Sequence, residues 1–97
     1  MNRDQVLAIL NKHRDEMQRR FAVKHLSLFG SAARDQLHEG SDIDVLVEFE
    51  GSPTFDGYVG LKDYLEALFG TKVDLATEAM VKPRLWKHIE KDLLRVA

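Results

Sequence analysis

Two aspartates, Asp42 and Asp44, stand two residues apart at the head of an otherwise apolar run, Asp-Ile-Asp-Val-Leu-Val-Glu-Phe. The run predicts a strand over 42–49, with Ile43, Val45, Val47 and Phe49 on one face. Period-two alternation then puts both carboxylates on the other face. Aspartate is disfavoured in strands, so two in one short strand call for a reason. Asp74 repeats the pattern in a second candidate strand, Lys72 to Ala76, where Val73 and Leu75 point one way and the carboxylate the other. If these strands are neighbours, three carboxylates converge on one face of a sheet.

The rest of the chain supplies a framework for such a sheet. Asn2 followed by Gln5 has the form of a capping box, and Val6, Leu10, Met17 and Phe21 recur at helical spacing, predicting a first helix over about 3–20. The charged run from Lys12 to Arg20 reads as its solvated face. His25 to Phe29 predicts a short strand stopped by Gly30, and Ser31 to Leu37 a helix of one to two turns. A helix follows near 55–69, with Tyr58, Leu61, Leu65 and Leu68 on one side and Gly70 as its stop. Pro83 suits a first helical position, and Leu85, Ile89, Leu93 and Val96 form the expected buried stripe of a last helix. The order is α-β-α-β-α-β-α, an α/β (α+β) arrangement expected to form one domain over 1–97.

Composition narrows the function. Fourteen basic residues against sixteen acidic ones leave a formal net charge of −2. A general nucleic-acid binder needs a dense basic surface to displace counterions, so direct nucleic-acid binding is not expected. A phosphorylated ligand held by a metal remains open. The chain has no cysteine, which excludes disulfides, thiolate zinc sites and a cysteine nucleophile. The apolar stretches are too short for a membrane span, and the amino terminus lacks the apolar core of a signal peptide. A cytoplasmic setting is the expectation.

Two like charges about 4 Å apart repel by roughly 4 kcal/mol at an effective dielectric near 20. Three unpaired carboxylates must splay or take up protons. A divalent cation removes the conflict, and an all-oxygen ligand set suits Mg2+, or Mn2+. Taken alone, the plainer account of Asp-x-Asp is a strand-start residue followed by a surface one. Upstream, however, Phe29-Gly30-Ser31 ends one strand and opens a helix. Glycine permits close backbone approach, and free amides at a helix start favour phosphate oxygens, with the Ser31 hydroxyl as a further donor. Alone this too is only a turn and cap. Together the two elements make a phosphate cradle beside a metal clamp.

The arrangement Gly30-Ser31, ten residues, then Asp42-Ile43-Asp44, within GSAARDQLHEGSDIDVLVEF and followed by VDLATE, resembles the polymerase-β-type nucleotidyltransferase superfamily. It is similar to the minimal (MNT) branch, stand-alone antitoxins found beside HEPN-type ribonuclease toxins, from about Leu26 to the carboxyl terminus. The resemblance implies the single-domain nucleotidyltransferase fold, a small mixed sheet with helices packed on one face. It implies that Asp42, Asp44 and Asp74 hold Mg2+, that Asp74 also takes the proton of the attacking hydroxyl, and that Gly30 and Ser31 position the phosphates of ATP. Two metals about 3.5–4 Å apart would then flank an in-line displacement. The implied reaction moves AMP to a tyrosine hydroxyl of the toxin and silences it. Arg34, one helical turn beyond, either contacts a phosphate oxygen or braces the loop by pairing with Asp35, Glu39 or Asp42.

Two rival expectations stand beside this one. The same fold could act as a non-catalytic antitoxin that neutralises its partner by binding alone. An enzyme acting on a small acceptor such as an aminoglycoside is less fitting, because such enzymes carry a further domain for the acceptor. Ser41 reads as a turn-former, and His13, His25, His38 and His88 as scattered residues without a relay. Trp86 reads as core-edge packing or a partner anchor, and Tyr58 and Tyr64 as helix packing residues.

Overall fold

The computed structural model describes residues 1–38 and 40–96. Helix α1 (Arg3–Lys12) starts in the expected capping box, with the Asn2 side chain accepting from the Gln5 amide and the Gln5 side chain from the Asn2 amide. The predicted helix over 3–20 is in fact two helices, because the ladder breaks at His13 before α2 (Arg14–Phe21). The His13 ring Nδ1 lies 2.8 Å from the Ile9 carbonyl, and a side chain competing for a ladder carbonyl is a recognised cause of such a break. Val6, Leu10 and Met17 are buried as their spacing predicts, and Arg14, Arg19 and Arg20 face solvent.

Strand β1 (Val23–Phe29) begins two residues earlier than predicted, and α3 (Gly30–Ala33) is a single turn that does not reach Leu37. Strand β2 (Ile43–Phe49) buries Ile43, Val45, Val47 and Phe49 and leaves Asp44 half-buried, while Asp42 lies just before it. Helix α4 (Phe55–Phe69) matches its predicted bounds. The Thr54 hydroxyl caps it by accepting from the Gly57 amide at 2.9 Å, and Gly70 ends it in the left-handed conformation at φ 66°. Leu61, Leu65 and Phe69 are its buried residues, with Tyr58 and Leu68 packing at the margin. Strand β3 (Val73–Thr77) leads through a 3-10 turn (Glu78–Met80) to α5 (Pro83–Asp92).

The four-stranded sheet has the order β3-β2-β1-β4. Strand β1 is antiparallel to β2 and β4, and β2 is parallel to β3, the crossover that a parallel pair requires being made by α4. The sheet is therefore mixed, with α1, α2 and α4 contributing to the core on one face. Strand β4 (Leu94–Arg95) is not foreseen by the sequence reading. Its presence overturns the expected stripe of the last helix. Helix α5 ends at Asp92 and has no buried residue, Leu85 is 47% exposed, and Val96 packs on the core from beyond the helix.

Candidate active site

Asp44 and Asp74 are direct register partners across the parallel β2–β3 pair, as are Ile43 with Val73 and Val45 with Leu75. The flanking residues fill the core. Alternation consequently turns both carboxylates to the opposite face, beside one another. Asp42 precedes β2 and is exposed, close enough for its charge to act on Asp44. Burial first, then the charges of Asp74 and Asp42 and a hydrogen bond with Asp74, push the Asp44 carboxyl up to about 6, against a smaller opposing pull from Arg34.

The end of β1 closes the site from the other side. Phe29 pairs with Asp44 across the antiparallel β1–β2 ladder, which carries Gly30 directly over the Asp44 side chain. Gly30 has φ +63°, and a Cβ there would overlap the Asp44 carboxylate, 3.1 Å from its Cγ. Only glycine meets both demands. The first-turn amides of α3, which a helix leaves without intrahelical partners, therefore start beside the carboxylates. With a single turn, α3 offers those amides but little macrodipole.

These residues fit a hard divalent cation. Two oxygen donors repel one another on one face, and magnesium characteristically uses one or two carboxylates and completes its shell with water and substrate phosphate. Among the described residues, no three histidine, aspartate or glutamate side chains are drawn together tightly enough to enclose an ion by themselves. The carboxylate convergence is thus a close pair, Asp44 and Asp74, with Asp42 at its edge.

The sequence pattern of the nucleotidyltransferase domain family matches residues 10–96 of this chain, both strands of the carboxylate pair included. The chain belongs to that family. The nucleotidyltransferase is 44% identical over 89 residues to a Methanocaldococcus jannaschii protein provisionally named a protein adenylyltransferase, covering 91% of each chain. It is 36% identical over 93 residues to the protein adenylyltransferase MntA of Thermococcus cleftensis, covering 96% of this chain and 94% of the relative. A solved structure provisionally described as a minimal nucleotidyltransferase superposes with a TM-score of 0.81 at 31% identity, over 97% of this chain and 95% of the other. The fold is also shared with a chain of the solved complex of a tri-AMPylated Shewanella oneidensis HEPN toxin with MNT antitoxin, at a TM-score of 0.66 and 16% identity, over 94% and 71% of the two chains. The expected fold, mixed sheet included, is met.

Other residues of the nucleotidyltransferase lie differently from expectation. Arg34 pairs with none of its expected described partners. Its guanidinium donates to Asp92 at 2.7 Å and to Gln36 at 2.9 Å, tying α3 to the end of α5. Asp35 instead accepts from the Arg3 amide, and Glu39 lies outside the described residues. Ser31 is the second residue of α3, with Phe29 in the cap position. Ser41 accepts from the His38 amide, a turn contact as expected. The Tyr58 hydroxyl donates to the Leu75 carbonyl, locking α4 to β3 next to Asp74. Sequence reasoning missed this brace and the Arg34–Asp92 tie, since neither has a spacing signal. No described helix is long and apolar enough to cross a membrane.

Proposed function

We propose that this nucleotidyltransferase, acting as one domain over its 97 residues, transfers AMP from ATP to a tyrosine hydroxyl of a HEPN-type RNase toxin and so serves as its antitoxin. The observation that carries the reading is the register pairing of Asp44 with Asp74 beneath Gly30. The names of the relatives at 36% and 44% identity support protein adenylylation. The fold shared with an MNT antitoxin bound to its AMPylated HEPN toxin supports the partner.

Asp44 and Asp74, with Asp42 alongside, hold Mg2+, or Mn2+ in its place. When bound, the ion neutralises charge on the phosphates and on the leaving group. Gly30 and Ser31 bring backbone amides and a hydroxyl to the phosphate oxygens. The acceptor oxygen attacks the α-phosphorus, the bond to the bridging oxygen of the β-phosphate breaks, and pyrophosphate departs. Asp74, at the outer edge strand, receives the acceptor proton. Arg34 contributes from its tie to Asp92, drawing negative charge toward the site. ATP consumption fits a cytoplasmic setting.

The test uses the partner chain with ATP labelled at either the α- or the γ-phosphate, in magnesium. The reading expects α-label on the partner, no γ-label, and loss of transfer in a folded Asp44→Asn variant. Incorporation of γ-label overturns it. Undiminished neutralisation by a variant lacking all three aspartates replaces it with neutralisation by binding.

A further inference from the structure

Strand β3 is an edge of the sheet, paired on one side only, yet it carries Asp74. Repulsion between the carboxylates of Asp74 and Asp44 pushes this strand away from β2. The Lys72 carbonyl accepts from the Ile43 amide at 3.1 Å. By alternation the backbone groups of Asp74 therefore also turn toward β2, and those of Val73 and Leu75 turn toward the open edge. Edge groups of this kind are ordinarily left to water. Here both outward-turned neighbours of Asp74 are captured by α4. The Glu66 carboxylate accepts from the Val73 amide at 3.0 Å, and the Tyr58 hydroxyl donates to the Leu75 carbonyl. Tyr58 and Glu66 are half-buried and lie on one i±4 row of the helix. The chain turns back after Gly70, so Glu66 near the end of α4 meets the start of β3 and Tyr58 meets its middle.

We infer that Tyr58 and Glu66 are positioning residues for the carboxylate pair, a two-point clamp that holds β3 in place and keeps Asp74 beside Asp44. This role presupposes the proposed reaction, in which Asp74 shares the metal and receives the acceptor proton. Each clamp residue acts through the backbone of a residue next to Asp74, not on the reacting atoms. Leu61, Leu65 and Phe69 already bury the apolar face of α4, so attaching the helix does not require the two polar contacts. What they add is a hold on β3 from the side where it has no neighbouring strand. A shared metal and an in-line attack demand close placement, and a misplacement of about 1 Å costs on the order of 100-fold in rate. Groups that orient metal ligands from behind carry about 10–100-fold in metal affinity or activity. Gly30 and Ser31 follow β1, on the far side of β2 from β3, so loosening β3 leaves the phosphate-binding turn intact.

The test compares full-length wild type with Tyr58→Phe, Glu66→Ala and Glu66→Gln. Three quantities are measured: exchange of the Val73 amide by NMR without ligand, Mn2+ affinity by electron paramagnetic resonance without nucleotide, and kcat and KM for ATP in transfer of α-label to the partner chain at saturating metal. Tyr58→Phe removes only a hydroxyl, and Glu66→Gln keeps an acceptor oxygen, so both preserve the packing. Glu66→Ala should speed exchange at Val73. Tyr58→Phe and Glu66→Ala should each weaken Mn2+ binding and lower kcat by about tenfold or more, with KM for ATP within about twofold of wild type. Glu66→Gln should stay close to wild type throughout. Unchanged Mn2+ affinity and kcat in either Tyr58→Phe or Glu66→Ala overturns the clamp. So does a Glu66→Gln variant as impaired as Glu66→Ala, because the charge and not the hydrogen bond would then be at work. Weaker Mn2+ binding in the variants of a wild type that transfers no label upholds the clamp and overturns the proposed reaction alone.

Discussion

Replacing Asp44 by asparagine should stabilise the metal-free protein at neutral pH, although it removes the centre of the site. In the folded chain burial and the charges of Asp74 and Asp42 raise the Asp44 carboxyl from 3.8 to about 6. A carboxyl raised on folding binds its proton more tightly in the folded state. Its ionisation therefore costs stability as pH climbs from about 4 through 6, and the loss is complete above that window. A rise of that size corresponds to about 3 kcal/mol at most. Asp44 is half-exposed, so solvent screening cuts this to about 1 kcal/mol. For a chain of this size that is a rise in Tm of about 4–8 °C. The assay is thermal unfolding of wild type and Asp44→Asn in chelator at pH 8, 6 and 4. The gap should be full at pH 8, smaller at pH 6 and closed at pH 4. Adding magnesium with a non-hydrolysable ATP analogue should then raise only the wild type, by mass action on the folded state. A variant less stable than wild type at pH 8 in chelator, or a gap independent of pH, refutes the claim that Asp44 and Asp74 repel across the β2–β3 register.

Other perturbations separate the parts of the site. Gly30→Ala must place a Cβ at φ +63° and against the Asp44 carboxylate; it should lose at least about 1–2 kcal/mol in denaturant unfolding and most of its transfer activity. Arg34→Ala and Asp92→Ala break the same exposed bridge and should each cost no more than about 1 kcal/mol. If Arg34 also draws phosphate to the site, only Arg34→Ala raises the KM for ATP. Equal KM values in the two variants would limit Arg34 to tethering α5.

The local signals in this chain were legible wherever one element carried them. The alternation of Ile43, Val45, Val47 and Phe49 gave the buried face of β2, and with it the side on which Asp44 must lie. Gly70 marked the end of α4 because a left-handed stop is a short-range device. What needed a distant partner was not legible. Parity says that Asp74 faces away from the core, but only the β2–β3 pairing says that it stands beside Asp44. Leu94–Arg95 is too short for any periodicity and becomes a strand solely because β1 offers an edge. The break at His13, where a ring nitrogen meets the Ile9 carbonyl, falls within a segment whose apolar spacing runs on unbroken. The clamp on β3 joins Tyr58 and Glu66 of one element to the backbone of another, so no single segment announces it.

The most direct measurement is anomalous diffraction from crystals grown with Mn2+ and a non-hydrolysable ATP analogue. A manganese peak bridging the side chains of residues 44 and 74, with analogue phosphate oxygens completing its shell below the amide of residue 30, is the predicted result. Manganese bound elsewhere, or an analogue seated with its phosphates away from those two side chains, would contradict the account.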